Sequence, residues 1–356
     1  MPAPALSHPP HVGALRTAVV VNPSKVDDLD GMRHTVTAAL TAAGWPEPMW
    51  LETTPDDPGA GQTAQAVRDG AELVFAGGGD GTVMACVTAL AGTEVALAVL
   101  PAGTGNLLAA NLGLTGDLAT GIEVVLQGGR RRIDVGAVGE QSFAVMAGMG
   151  FDAHMLDATN ATAKKRIGWL AYVGGAVRHL RDRPMRVRVT LDDRPAFTCR
   201  PRTVIVGNVG RLSGGMRLLA EAQPDDGLLD VAILSPRTLR HWLALGWGVL
   251  RRKGAVPNMR TFTAARVEIH SRRAEPRQLD GDLIDAGKHL LVTVRPKALV
   301  LCVPQPANDP DLAHDVAATD RAADEIRSDS GVGHPPVELG RHVALVRDGR
   351  LSGPGR

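Results

Sequence analysis

Through the first 130 residues, short apolar runs alternate with segments of helical period. Thr17 to Val21 (TAVVV), Met49 to Glu52, Leu73 to Ala76 and Val95 to Leu100 have the length of strands. Between the first two, Met32, Val36, Ala39 and Leu40 share one face of a helix expected to start near Asp27 or Asp28 and to stop at Gly44. Further helices are expected over Gln62 to Arg68, from Thr82 with Val83, Val87 and Leu90 on one side, through LLAANLGL, and over Leu118 to Leu126. Strands apolar on both faces and separated by helices imply a parallel sheet covered on both sides. Such sheets bind ligands beyond the carboxyl ends of their strands. Four turns fall there, all small or polar: Asn22 to Lys25, Thr53 and Thr54, Gly77 to Thr82, and Gly103 to Asn106.

After Arg130-Arg131-Arg132 the rhythm changes to short strands. Ile133 to Val138 and Ser142 to Ala147 read as neighbours around a turn at Gly139-Glu140. Arg186 to Leu191, Thr203 to Val209, Leu229 to Leu234, Ala265 to His270 and Leu290 to Val294 follow. Two helical stretches interrupt them, residues 164 to 182 and Thr238 to Arg252. Ala298 to Val303 is a last strand whose sheet stays open. The expected fold is therefore α/β + β. Residues 1–14 are expected to form a disordered N-terminus, 15–132 a parallel α/β domain, 133–303 a β-sandwich, and 304–356 a polar tail.

Composition narrows the function. A net charge of +1, one Tyr and five Phe leave neither the field nor the stacking surface of a nucleic-acid binder. Cys86, Cys199 and Cys302 lie far apart with no metal spacing and read as buried free thiols. No stretch has the apolar length of a membrane span, so the expected place is the cytoplasm, peripheral at the inner membrane surface. Lys164, Lys165, Arg166, Arg178 and Arg181, beside Trp169, suit either anionic lipid or plain solvent.

The chemistry starts at Glu72 to Leu90, ELVFAGGGDGTVMACVTAL, which reads as strand, glycine turn and helix. Glycines let a ligand approach the backbone, and a helix N-terminus favours phosphate. Asp80 would repel phosphate unless a cation bridges them, which suggests a nucleotide bound with Mg²⁺.

Asn22-Pro23, Gly78-Gly79-Asp80-Gly81-Thr82, Pro101-Ala102-Gly103-Thr104-Gly105-Asn106, Asp225-Asp226-Gly227-Leu228-Leu229-Asp230 and Asp280-Gly281-Asp282 occur in that order. Together they resemble the catalytic domain of the diacylglycerol kinase family, in particular its soluble bacterial lipid kinases. The resemblance covers about residues 15 to 303 and implies an N-terminal nucleotide domain of the NAD kinase and diacylglycerol kinase kind, a C-terminal β-sandwich and ATP in the cleft between them. Nucleotide contacts are implied at Asn22, Pro23, Ser24, Lys25, Val26, Thr53, Gly78, Gly79, Asp80, Gly81, Thr82, Val83, Met84, Ala85, Gly103, Thr104 and Asn106. Asp280 is implied as the base, with Asp80 and Asp282 in the catalytic set, although Asp280-Gly281 also reads as a hairpin turn. Gln223, Asp226 and Leu228 are implied as ligands of a structural Mg²⁺, and an acidic turn is the other reading.

Two positions depart from the family pattern. Asp282 stands where relatives carry Glu, and Leu107 where many carry Asp. The implied activity is transfer of the γ-phosphate of ATP to a lipid hydroxyl at a membrane surface, with oligomeric state left open. A kinase for a sphingoid or long-chain alcohol, a kinase for an NAD-type metabolite, and a non-catalytic nucleotide- or lipid-binding protein are the alternatives.

Overall fold

The N-terminal apolar runs become parallel strands because every residue in them is covered. The computed structural model describes residues 13–101, 106–111, 118–150, 183–210, 218–219, 222–236, 238, 240–241, 244 and 257–304. All of them fall in one compact unit spanning residues 1–318. Strands β1 (Thr17–Val21), β2 (Met49–Glu52), β3 (Leu73–Gly78) and β4 (Ala96–Pro101) lie in the order β4-β3-β1-β2. Helix α1 (Leu29–Ala42) buries Met32, Val36 and Leu40 against them. Its cap is Asp28, whose Oδ1 accepts the Gly31 N–H at 2.8 Å, a contribution of about 1 kcal/mol. Helices α2 (Ala60–Arg68), α3 (Asp80–Leu90), α4 (Leu107–Asn111) and α5 (Leu118–Leu126) complete this lobe among the described residues.

The glycine turn differs from its expected bounds. Gly77 and Gly78 pair with Leu100 and Pro101, so β3 runs two residues further than the apolar run. Helix α3 then opens at Asp80, two residues before Thr82, with Gly79 as its cap. The reason is sheet pairing, which glycine accepts here because its neighbours on β4 supply the hydrogen bonds.

Strands β5 (Arg130–Val138), β6 (Gln141–Phe143), β7 (Met146–Met149), β8 (Val187–Leu191), β9 (Phe197–Cys199), β10 (Thr203–Gly207), β11 (Leu229–Leu234), β12 (Met259–Ala264), β13 (Arg266–Leu279) and β14 (Asp282–Cys302) build the second, mainly antiparallel lobe. β9 and β12 fall outside the expected strands. Both are short of buried residues, so no apolar run marks them. The expected strand Ser142 to Ala147 breaks into β6 and β7. Its middle residues Ala144 and Val145 point their N–H groups at the Asp280 carboxylate and not at a neighbouring strand. Of the two inserted helices, residues 164 to 182 and most of Thr238 to Arg252 lie outside the described residues, as do residues 305–356.

The strand left open at Ala298 to Val303 proves to be the far end of β14, a single strand of 21 residues. Near its start β14 pairs with β13. Further along it pairs antiparallel with β5, and at Val300 and Leu301 it lies parallel to β4. One hydrogen-bonded sheet of fourteen strands, ten of them on a single path and β5, β6, β8 and β9 branching from it, thereby crosses both lobes. Two main cores remain distinct: one around Val20, Leu73, Phe75, Leu97, Ile133 and Leu299, the other around Phe143, Met149, Val189, Val206, Val231, Ile269 and Val292.

Candidate active site

Four parallel strands aim their carboxyl ends the same way, so their turns gather on one edge. Asn22 N–H donates to Gly77 O at 2.8 Å, and Thr53 N–H to Val21 O at 2.9 Å; the turns after β1, β2 and β3 are thus tied together. Asn22 Oδ1 accepts from Ser24 N–H and Oγ and shapes the short 3-10 turn Pro23–Lys25. Pro23, Ser24 and Lys25 are exposed there, Asn22 and Val26 half-buried, and Thr53 buried.

Helix α3 starts among these turns. No side chain caps it, and its first N–H groups lack an earlier turn of helix to receive them. The space where a Gly79 side chain would stand holds no atom within 4 Å. Thr82 is buried just behind, next to Gly78. Val83, Met84 and Ala85 turn their side chains into packing. Val83 belongs to the first core, Met84 is partly buried and packs on the second, and Ala85 is buried.

Asp80 Oδ1 accepts the Leu107 N–H at 2.6 Å and so tethers the start of α4. The Leu107 side chain is buried in the first core. Asn106 Oδ1 accepts the Ala109 N–H at 2.8 Å, while its Nδ2 is buried without a partner among the described residues. Gly103 and Thr104 lie outside the described residues.

The second lobe supplies the other half of the site through the β13–β14 hairpin. Asp280 (φ 47°) and Gly281 (φ 98°) are its two-residue loop, a turn that needs positive φ at both positions. The hairpin-turn reading therefore holds for Asp280-Gly281. Asp280 is 5% exposed. Its Oδ2 accepts the Ala144 N–H at 2.9 Å, and its Oδ1 accepts Val145 N–H at 2.9 Å and Met146 N–H at 2.7 Å. Burial pushes its carboxyl up to about 6 against the pull of these three donors, and the Asp282 charge adds to the rise.

Asp282 closes the gap between the lobes. A methyl group added at Gly81 would sit 2.9 Å from Asp282 Oδ2, so glycine is what lets the hairpin reach the start of α3. Thr88 Oγ1 and Ser142 exchange hydrogen bonds nearby, the N–H donor at 3.0 Å and the hydroxyl at 3.3 Å. Gly81, next to Asp80, and Asp282, two residues past Asp280, thus meet from about 200 positions apart in the chain.

The loop carrying Gln223, Asp226 and Leu228 stands apart from these. Asp226 Oδ1 accepts the Leu228 N–H at 2.9 Å, and Asp225 forms an ion pair with Arg131 at 3.1 Å. A residue not foreseen holds the loop. Asp134 on β5 is fully buried. Its Oδ2 accepts Gly227 N–H and its Oδ1 accepts Lys297 N–H, both at 2.6 Å, and its own N–H donates to Pro224 O at 2.6 Å. Burial raises its carboxyl above the usual range; the Lys297 and Gly227 N–H groups pull it down, and the charges of Asp226 and Asp225 add to the rise. Asn208 continues the chain of contacts, donating Nδ2 to Asp134 O and to Ala144 O. The sequence signal for Asp134 was present: an acid between Ile133 and Val135 in a buried strand needs partners.

The three thiols carry no chemistry here. Burial pushes Cys86 up to about 12 and Cys302 up to about 11. Cys199 is only half-buried, since β9 lies at the rim.

The uncapped start of α3 and an acidic hairpin of the second lobe thus lie side by side. The diacylglycerol kinase catalytic domain matches residues 16–138, and the YegS C-terminal NAD kinase beta sandwich-like domain matches residues 145–303. The "Probable lipid kinase YegS-like" of Pseudomonas syringae pv. tomato is 34% identical over 261 residues, 70% of this chain and 80% of that protein. A diacylglycerol kinase of Mycobacterium tuberculosis is 31% identical over 176 residues, 48% of this chain and 57% of that one. A diacylglycerol kinase structure from Bacillus anthracis str. Sterne shares the fold with a TM-score of 0.66 at 21% identity, covering 83% of this chain and 98% of that one. The chain belongs to the diacylglycerol kinase-related lipid kinase family, with the YegS-like members among its relatives. The α/β lobe followed by a β-sandwich-like lobe is the fold expected from its motifs.

Proposed function

We propose that this protein transfers the γ-phosphate of ATP to the hydroxyl of diacylglycerol or a related lipid presented at a membrane surface. The observation that carries this reading is the contact of Asp282 with Gly81, which brings a buried carboxylate turn to the start of the phosphate-binding helix. The donor set fits the ligands: the exposed turn at Ser24 and Lys25, the first N–H groups of α3 and the buried Asn106 amide suit triphosphate oxygens. Oxygen-only groups suit Mg²⁺. Asp80 and Asp282 would hold that ion, which supplies charge neutralisation for the triphosphate when bound. A second, structural Mg²⁺ would take Gln223, Asp226 and Leu228.

Asp280 would take the proton. Three backbone N–H groups fix its carboxylate, and Oδ2, with a single donor, keeps lone-pair capacity for the acceptor hydroxyl. As the new O–P bond forms and the bond to the ADP leaving group breaks, Asp280 takes the hydroxyl proton. A pKa near 6 leaves the group ionised at neutral pH yet basic enough for the transfer.

The test is transfer of label from γ-labelled ATP with Mg²⁺ into a panel of lipids, with NAD as a soluble acceptor beside them. A labelled lipid, lost when EDTA is added, is the expected result. Label on NAD alone would move the reading to a metabolite kinase, and label on nothing would leave a binding protein.

A further inference from the structure

We infer a second metal site, of the class that takes Zn²⁺, on the solvent face of the β13–β14 ribbon at Glu268, His270 and His289. His270 and His289 are directly opposed in the antiparallel register, and Glu268 lies two residues before His270, so pleating puts all three on one face. Glu268 Oε1 stands 2.9 Å from His270 Nε2 and 3.1 Å from His289 Nε2. The two rings stack with centroids 4.3 Å apart. One ligand atom from each residue lies within 4.8 Å of the other two.

Zn²⁺ with bonds of about 2.0–2.2 Å sets tetrahedral ligand atoms roughly 3.3 Å apart, so small side-chain rotations complete the triad. Two imidazoles and one carboxylate exclude Mg²⁺ as the preferred ion and favour Zn²⁺ or its first-row neighbours. The imidazole contacts, His270 first, hold the Glu268 carboxyl below its ordinary range, which keeps it an anionic ligand at neutral pH. Glu268 Oε2 faces Arg266 at 3.6 Å while Oε1 faces the imidazoles, so the guanidinium does not occupy the ligand oxygen. Arg188, opposite His270 on β8, and Arg266 oppose a dication; both are exposed, and solvent and salt screen them. The histidine side chains are 53% and 46% exposed, leaving the fourth position to water.

An ion bound there would join β13 to β14 on the ribbon whose tip is Asp280. The site does not depend on which acceptor the protein phosphorylates, and Asp280→Asn should bind Zn²⁺ like the wild type. The experiment is a competition titration of the tag-free full chain against a chromogenic zinc chelator, with Mg²⁺ in excess. The expected result is one equivalent of Zn²⁺ held at least about tenfold more tightly by the wild type than by His270→Ala/His289→Ala, with Glu268→Gln between them. Co²⁺ loaded in place of Zn²⁺ should show visible bands that the double variant lacks. Equal affinity and stoichiometry in wild type and double variant, with both folded by circular dichroism, would overturn the site, as would a wild type that binds no Zn²⁺.

Discussion

Asp280 combines features that oppose one another: burial, which disfavours its charge, and three N–H donors, which favour it. The balance leaves the carboxyl at about 6, and the consequence for activity has a definite sign. As the proposed base, Asp280 would have to be ionised, so kcat/KM should level off above this value and fall about tenfold per unit below it. Asp280→Asn should lower kcat by about 10²–10⁴ and remove that acidic limb, as measured by initial rates across pH. Stability runs the other way. The folded protein holds the Asp280 proton more tightly than the unfolded chain, so its contribution is greatest below 3.8 and is withdrawn as pH rises to about 6. Leu107 also resolves at this scale. The Leu107 backbone N–H, not its side chain, holds Asp80.

Between elements, the decisive contact is that of the hairpin tip with the start of α3. Gly81→Ala places a methyl group 2.9 Å from Asp282 Oδ2. That turns the Asp282 carboxylate away from the start of α3, and about a tenfold or greater loss of transfer should follow with circular dichroism unchanged. Asp134 is the matching device on the other side of β14, where it gathers the loop at Gly227 and the bend at Lys297. Asp134→Ala strands two N–H groups and should cost about 2–5 kcal/mol in urea denaturation.

At the level of the whole molecule, β14 makes one object of two lobes. It carries Asp282 at its start, the ribbon through the second core, and Leu299 and Leu301 in the first core. Val300 pairs with Ala96 on one side and Arg132 on the other, so Val300→Pro removes pairing from the centre of the sheet. A loss of about 1–3 kcal/mol is expected from the partner groups left without a hydrogen bond. Because the strand is shared, thermal unfolding followed by circular dichroism should show both lobes weakened together and not a single early transition of the first.

Much of this was legible in the chain. The parallel sheet, α1 with its Asp28 cap and α5 follow from local periodicity and capping, which depend on residues a few positions apart. The family motifs marked Asp80, Asp280 and Asp282 because a turn's chemistry is written in its own residues. Other features had no local signature. β9 and β12 are rim strands with few buried residues, and Ala144 and Val145 leave the sheet for a carboxylate some 135 positions away. The union of two expected strands, Leu290 to Val294 and Ala298 to Val303, into β14, the clamp at Asp134 and the meeting of Asp282 with Gly81 are products of long-range packing. Local sequence determined what each turn could bind; the tertiary structure decided which turns face one another, because only the closing of β14 across both cores brings them to one place.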